Sequence, residues 1–507
     1  MTPITQEELI NALSQLRDSS PGGDGVPMRV LRASMPELSN VISHLCNISF
    51  SSGVFPDQLK IAKVVPIFKA GDKKLFSNYR PISVLPALSK IFEKIMYNRL
   101  VEYCDANNII SEDQYGFRKG LSTEIALTKF KEDILNSFDN RFYSVGVFLD
   151  LSKAFDTVNH KILIKKLELY GIKGTAINWL KSYLWNRKQY VLFNDHESDS
   201  QGITCGVPQG SILGPLLFIL YINDIVNTTK FFKFILFADD STLYASHQDL
   251  QFLTRNINNE LSKVKKWITC NKLTLNINKT QYIIFHRNKI IPQNVEPIKI
   301  GQCVIKEVNC TKFLGVEVDR QLSWRNHIHT ICNKINKQCG ILHLTRNYFN
   351  TSCLKLIYYS LVYPLLTYCH TVWGAACNTH LHRVTLAQKK LIRTISYKDK
   401  YAHTNALFKS LDLLKLHDIN TYTCAIFVFK SIQNHINVNL FHFNTNTRFN
   451  LRNLNVLLIP MCNTRQSQTS IRYHGVKIWN KLPQEIREKQ SISSFKKSLK
   501  LYLLQFY

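Results

Sequence analysis

The sequence predicts an α+β fold that gives way to a mainly helical extension near residue 321. Three observations carry this. Up to about residue 320, apolar runs of strand length alternate with stretches of helical periodicity. Two β-rich runs, FFKFILF (231–237) and STLYA (241–245), flank a tight Asp239-Asp240 turn, the pattern of a hairpin. From about Gln321 onward, long helical stretches rich in Leu, Ile, Tyr, His and Lys take over. Mixed strands and helices of this kind predict an antiparallel sheet covered on one face by helices.

The elements follow in order. Thr5 and Glu8 stand in capping-box spacing ahead of Leu9, Leu13 and Leu16, which predicts an opening helix. It must stop before SSPGGDG (19–25), a loop with unusual backbone freedom. KIAKVVPIF (60–68) reads as a strand, Ala70-Gly71-Asp72 as a turn, and 85–103 as a long helix. YSVGVFLDL (143–151) is nearly continuous in apolar residues, as in a buried strand. Residues 154–170, 214–226 and 248–270 read as helices, and 282–286 as a strand. A domain boundary is expected near Ser323, and the Asn-rich stretch 434–455 is the best place for a flexible connection.

Composition narrows the class. At 45% hydrophobic and 20% charged, the 507 residues can bury a large core and are not of the disordered type. The net charge of +28 points to a polyanionic partner, nucleic acid or an anionic membrane surface, against the plainer reading of a basic solvated surface. Thirteen cysteines without framework spacing favour free thiols in a reducing compartment. The N-terminus MTPITQEELI has no basic or apolar leader region, and the most apolar run, GPLLFILYI (214–222), falls far short of the ~20 residues that span a bilayer. A soluble, intracellular protein with no membrane partner is expected, in the nucleus or the cytoplasm.

Three carboxylates carry the chemistry. Asp150 ends a strongly apolar strand, and Asp239 and Asp240 occupy the tip of another. Burying a carboxylate there costs several kcal/mol unless a cation compensates. Strands of one sheet could bring Asp150 and Asp239 together, and the repulsion between them calls for divalent ions. Oxygen ligands and retained waters suit Mg²⁺, with Mn²⁺ as the alternative. Two such ions about 3.5–4 Å apart would serve in-line phosphoryl transfer. Alone, an Asp-Asp pair after a strand is more often an ordinary hairpin turn; its neighbours decide.

FLDLSKAFDTVNH (148–160), GVPQGSILGPLLFILYINDI (206–225) and FADDSTLY (237–244) resemble, in order and spacing, the consecutive catalytic blocks of reverse transcriptases. IFKAGDKKLFSNYRPISVLP (67–86) and QYGFRKGLSTEIAL (114–127) resemble the upstream blocks of the non-LTR retrotransposon group. NKLTLNINKTQYIIF (271–285) and FLGVEVD (313–319) resemble the downstream ones. YHGVKIWNKLPQEIR (473–487), with SFKKSLK after it, resembles the C-terminal end of jockey-like elements.

The resemblance implies a right-hand polymerase. Fingers would occupy 20–140 and 160–205, and palm, with its antiparallel sheet, 141–159 and 206–310. The domains would then be an N-terminal helix (1–20), fingers and palm (20–320), a helical thumb and connection (321–430) and a basic C-terminal extension (431–507). It implies Asp150, Asp239 and Asp240 as catalytic metal ligands, with the carbonyl of Leu151 as a further metal contact. Phe155 matches the family's steric gate, an aromatic ring that leaves no room for the 2′-hydroxyl separating RNA from DNA; its plainer reading is core packing. Lys69 and Arg80 match residues that grip the triphosphate, Arg as a fork and Lys as a point charge. Gln209 and Gly210 would lie against nucleotide and template, although a simple Pro-Gln-Gly turn fits the spacing as well. Lys279 matches a general acid for pyrophosphate. Phe313, Leu314 and Gly315 match a primer grip that would be indistinguishable in sequence from a buried β-turn. The Gly-rich loop 21–25 and the segment 114–122, with Arg118 and Lys119, would contact template phosphates.

The implied partners are an RNA template, a DNA primer or nicked target DNA, and deoxynucleoside triphosphates. The cluster Cys369, His370, Cys377, His380 and His382 lacks the CxxC pairs usual in zinc sites and reads better as core and helix residues. A group II intron maturase shares this palm and thumb, but the jockey-like C-terminus argues against it; an RNA-dependent RNA polymerase shares the paired Asp, but Phe155 argues against it. A non-catalytic nucleic-acid-binding relic would keep the fold, yet all three Asp are present. Full-length jockey-type elements carry an endonuclease before the polymerase. With about twenty residues ahead of the first block, the expectation is a truncated copy or a nuclease encoded separately.

Overall fold

A computed structural model describes residues 1–287, 295–437, 440–442 and 456–507. The Asn-rich stretch 434–455 lies largely outside them. The chain divides into two compact units whose segments interleave: Met1–Phe117, Leu149–Ser241 and Asn259–Lys279 form the first, and Arg118–Phe148, Thr242–Asn258 and Thr280–Tyr507 the second. The fold is α+β, but its sheets are mixed rather than antiparallel throughout, which corrects the expectation. The reason is topological: strands far apart in sequence pair through crossovers as well as hairpins.

In the first unit, the opening helix Gln6–Ser14 is capped as expected, with the Thr5 side chain accepting the Glu8 N–H at 3.1 Å. The strand Ile61–Phe68 pairs antiparallel with Tyr79–Val84 and parallel with Arg187–Phe193. Behind this sheet, Phe55 packs edge-on against Trp179 and Tyr183, both at 5.2 Å between ring centres. The Trp179 indole N–H donates to Ser49 Oγ at 2.9 Å, so the buried ring leaves no polar group unmatched. The long helix expected at 85–103 is Ala87–Ala106.

Two expected helices are broken. Residues 154–170 form a 3₁₀ turn, Ala154–Thr157, and then a helix, His160–Leu169. The Asn159 side chain starts the second by accepting the Ile162 N–H at 3.1 Å. The stretch 214–226 is a helix, Leu213–Ile222, followed by a 3₁₀ segment, Asn223–Thr228. Every residue of Leu213–Ile222 except Pro215 is buried. Its apolar run is therefore a core helix, and among the described residues no helix is long and apolar enough to cross a membrane.

In the second unit, the strands Lys306–Glu307, Gln281–Phe285, Tyr143–Leu149 and Asp240–His247 lie side by side in that order. Tyr143–Leu149 pairs antiparallel with Gln281–Phe285, from Ser144 opposite Phe285 to Phe148 opposite Gln281. Phe130 is the hub of this unit's core, with Tyr244, Phe313 and Phe285 at 5.2, 5.5 and 5.6 Å. Phe130 belongs to the helix Thr123–Asp139, which buries residues on nearly every face.

Something must cover that helix's polar positions, and the C-terminal part of the chain does. Lys131 Nζ donates to the carbonyls of Val372 and Thr469 at 2.7 and 2.8 Å. The Glu132 carboxylate accepts the Ser470 hydroxyl at 2.7 Å and the Ile471 N–H at 2.9 Å. Thr464 donates to Asp139 at 2.9 Å, and Ser467 to the Leu135 carbonyl at 3.1 Å. Residues 464–471 are thus stitched along the helix, each buried charge met by a partner.

Candidate active site

The carboxylates sit where strands end, for local reasons. Tyr143–Leu149 is buried along most of its length, and Asp150 follows its last residue. The main chain then runs beside 274–276: Ser152 N–H donates to the Thr274 carbonyl, and Asn276 N–H to the Asp150 carbonyl, both at 2.8 Å. Leu151 and Leu275 face each other between those two bonds. In that antiparallel pattern the facing residue's own carbonyl is directed away from its neighbour, so the Leu151 carbonyl is not spent on the 274–276 segment.

The strands Lys233–Phe237 and Asp240–His247 form the expected hairpin, but its turn falls at Ala238-Asp239, one residue earlier than expected, and Asp240 already opens the second strand. Ala238, between them, has a positive φ of 55°. Asp239 and Asp240 both open to solvent. Desolvation pushes the Asp239 carboxyl up from its ordinary value and repulsion from Asp150 adds to it, while Arg80 and Lys69 oppose the rise. Asp240 is pushed up to about 6, first by desolvation, then by Asp239 and Asp150, with Lys69 opposing. Three carboxylates and two cations therefore act on one another within the first unit.

Lys69 and Arg80 are both exposed and share the hairpin of Ile61–Phe68 and Tyr79–Val84. Arg80 stands opposite Ile67, and the Lys69 N–H donates to the Asn78 carbonyl at 2.8 Å. Pro81, next to Arg80, pairs with Pro66 and carries no N–H to donate.

The Gln209-Gly210 turn is held against the same hairpin. Ser83 N–H donates to the Gln209 carbonyl at 2.7 Å. Gly210 has φ +127°, and a Cβ there would stand 2.4 Å from the Ser83 carbonyl oxygen, so only glycine fits this approach. The Gln209 side chain donates to Asp156 Oδ1 at 2.8 Å. Glu93, fully buried, accepts the N–H groups of Ile212 and Leu213 at 2.8 and 3.3 Å, capping the helix Leu213–Ile222. His160 Nε2 lies 2.7 Å from the Gly206 carbonyl. Asp156, Glu93 and His160 were not singled out from sequence for these contacts; their partners lie 46 or more residues away.

Phe155 is half-buried and stacks on Phe218, 4.3 Å between ring centres at 23°. Phe117 meets it edge-on at 6.5 Å. The ring is a braced shelf, with one neighbour, Phe117, that the sequence did not flag. Gly22, in the loop 21–25, packs so closely that a Cβ would stand 2.6 Å from the Pro86 nitrogen. Lys279 lies on an exposed turn, its N–H on the Asn276 carbonyl at 3.2 Å.

Other expected site residues belong to the second unit. Arg118 and Lys119 precede the helix Thr123–Asp139, which Ser122 caps by accepting the Ile125 N–H at 3.3 Å. Phe313 is buried, with Phe130 and Phe148 at 5.5 and 5.4 Å. Leu314 and Gly315 have φ of 45° and 84°, the two-residue turn of the hairpin Cys310–Phe313 and Val316–Asp319. The Tyr368 hydroxyl donates to the Leu314 carbonyl at 2.7 Å. Cys369 and His370 are buried, and His370 packs edge-on against Trp373 at 4.3 Å.

Among the described residues no three His, Cys, Asp or Glu side chains are grouped closely enough to hold a metal ion. The donor chemistry still fits a hard divalent ion: all three side chains are carboxylates, and their mutual repulsion is what such an ion would relieve.

Residues 68–318 match the family Reverse transcriptase (RNA-dependent DNA polymerase). The chain is 29% identical over 428 residues to the "Probable RNA-directed DNA polymerase from transposon X-element" of Drosophila melanogaster, covering 82% of this chain and 47% of that protein. It is 28% identical over 433 residues to the "RNA-directed DNA polymerase from mobile element jockey" of the same species, covering 82% and 46%. A third relative there, the "Probable RNA-directed DNA polymerase from transposon BS", is 29% identical over 431 residues, covering 81% and 46%. The chain spans about half the length of these curated relatives. Its α+β fold thus carries a reverse transcriptase domain. The chain's relatives at 28–29% identity are RNA-directed DNA polymerases of non-LTR, LINE-like transposons.

Proposed function

We propose that the chain is an RNA-directed DNA polymerase that adds deoxynucleoside 5′-monophosphates to a primer 3′-hydroxyl on an RNA template. The observation that carries this is the electrostatic grouping of Asp150, Asp239 and Asp240 opposed by Arg80 and Lys69. In the reaction the primer 3′-oxygen forms a bond to the α-phosphorus, the bond to the β-phosphate oxygen breaks, and pyrophosphate leaves. Asp150 and Asp239, with Asp240 and the Leu151 carbonyl beside them, would hold two Mg²⁺ ions, for which Mn²⁺ can substitute. When bound, such ions lower the pKa of the attacking hydroxyl and neutralise charge on the phosphates.

The remaining roles belong to the protein. Arg80 and Lys69 hold the triphosphate by charge, Arg80 with a fork of donors. Phe155, braced by Phe218, lies under the sugar and excludes a 2′-hydroxyl. Gly210 lets the main chain approach the nucleotide, and Gln209 is steadied by Asp156. Lys279 protonates the departing pyrophosphate. Arg118, Lys119 and the Leu314-Gly315 turn contact the nucleic-acid backbones. The first unit with the sheet strands corresponds to fingers and palm, and the helices beyond residue 321 to thumb and extension. The described cysteines are all free thiols, which supports an intracellular location.

Primer extension on an RNA template with deoxynucleotides and Mg²⁺ tests this. Wild type should extend and Asp239→Asn should not. Failure of the folded, template-bound wild type to extend would remove the proposal.

A further inference from the structure

Gln114 is fully buried. Its Oε1 accepts two main-chain N–H groups, from Gly116 at 2.9 Å and from Ala238 at 3.2 Å. The flanking main chain is tied to the same strand. Leu236 N–H donates to the Asp113 carbonyl at 2.9 Å, and Tyr115 N–H to the Leu236 carbonyl at 2.8 Å. Gly116 comes so close that a Cβ would stand 2.6 Å from the Ala238 nitrogen.

Ala238 is the last residue before the Asp-Asp pair, and its φ of 55° is left-handed. For a residue with a Cβ that conformation costs roughly 1–2 kcal/mol, and Ala238 is itself buried. Where the chain leaves the strand Lys233–Phe237 to make this turn, the Ala238 N–H needs an acceptor inside the protein. Gln114 supplies it across 124 residues of sequence. Fixing that N–H fixes the peptide plane from which the Ala238 Cα, and then Asp239, depart.

We propose that Gln114 is a positioning residue for the Asp239-Asp240 turn: by holding the Ala238 N–H, it stabilises the left-handed conformation that aims the two carboxylates. This rests on the polymerase reading above. Gln114 is fully buried, unlike the template-contacting residue expected at the start of 114–122, and acts through Ala238. The loop that carries it continues to Phe117, whose ring meets Phe155, so one anchor sets both the carboxylate turn and the edge of the sugar-facing shelf.

The test uses the full chain in steady-state primer extension, with melting temperature and primer–template affinity measured in parallel. Gln114→Met keeps the length of the side chain and removes the acceptor. It should lower kcat on the order of ten- to hundred-fold, the scale of a misaimed catalytic group, while KM for deoxynucleotide and primer–template Kd stay within about two-fold. A purely structural residue would move the melting temperature and all three constants together.

Ala238→Gly supplies the second arm, because glycine takes positive φ without side-chain cost. In that background Gln114→Met should cost less than about three-fold, a coupling that double-mutant cycles resolve. If Gln114→Met does not fold, Gly116→Ala reads the same turn with the acceptor intact and should show the same selective loss of kcat. Unchanged kcat in Gln114→Met, or in Gly116→Ala when it stands in, overturns the proposal, as does an equal loss in both Ala238 backgrounds. A wild type that does not extend removes the polymerase reading and this inference with it; an active wild type with an active Gln114→Met removes this inference alone.

Discussion

Two groups of charges, one in each unit, are used in opposite ways. In the first, Lys69, Arg80, Asp239 and Asp240 are exposed side chains on turns and strand ends, held in place by main-chain bonds behind them. In the second, Lys131 and Glu132 are buried and spend their donors and acceptors on the chain itself. Exposed carboxylates that repel one another, with two cations nearby, leave an interaction for a ligand to complete. Buried charges with every bond met hold the C-terminal segment to the helix Thr123–Asp139. The first arrangement suits the proposed chemistry and the second stability, and substitutions should separate them.

The largest effect should come from Asp239→Asn. It removes one of three mutually repelling charges, so extension should fall on the order of a thousand-fold or more, the scale of losing a charge-stabilising group from an active site. Its melting temperature should be equal to or above that of wild type. A variant that loses stability along with activity would break the contrast between the units.

Glu132→Ala should do the reverse. It strands the Ser470 hydroxyl and Ile471 N–H and leaves Lys131 without its neighbouring anion, at a cost of about 3–5 kcal/mol in denaturant unfolding. Retention of the wild-type midpoint would show that the clamp contributes nothing. Arg80→Ala should raise KM for deoxynucleotide roughly ten-fold, in line with ~1.5–3 kcal/mol for a charged hydrogen bond. Stability should be unchanged, and an unaltered KM would return Arg80 to a solvated surface role. Phe155→Ala should raise ribonucleotide incorporation by roughly ten-fold or more, the effect of opening a hydrophobic pocket. Unchanged sugar discrimination would leave Phe155 as packing against Phe218.

The smallest effect is a pH slope from three buried histidines of the second unit. Burial lowers His327 and His474 to about 4 and His370 to about 3. Each binds its proton more weakly folded than unfolded. The stability they contribute is complete above the unfolded value near 6.5 and drains as pH falls toward the folded values. The stability difference between wild type and His370→Phe, followed by hydrogen exchange in the second unit, should therefore shift against wild type between about pH 6.5 and 4; a difference that does not change with pH would contradict the burial of this ring.

Much of the site was legible because the sequence carries it locally. The Thr5 cap, the strand ending at Asp150 and the two strands around Asp239-Asp240 each follow from periodicity and turn chemistry within a dozen residues. Errors fell where local signals compete. The stretch 154–170 has helical spacing throughout, yet Asn159 caps a new helix and breaks it. The strand pattern predicted an antiparallel sheet, and the parallel pairing of Ile61–Phe68 with Arg187–Phe193 has no local signature.

By itself the sequence supplied the candidate groups: three carboxylates at strand ends, and Lys69, Arg80, Phe155 and Gly210 within short family-like blocks. Those are choices of residue type and short-range geometry, written in neighbouring letters. Only the tertiary structure decided what aims and braces them. Gln114 reaches Ala238, Asp156 reaches Gln209, Phe218 supports Phe155, and Glu132 grips Ile471 across 339 residues. A single buried contact between distant residues leaves no period in the chain. It exists because a buried N–H or carboxylate must find a partner, and which partner it finds is settled only when the core closes.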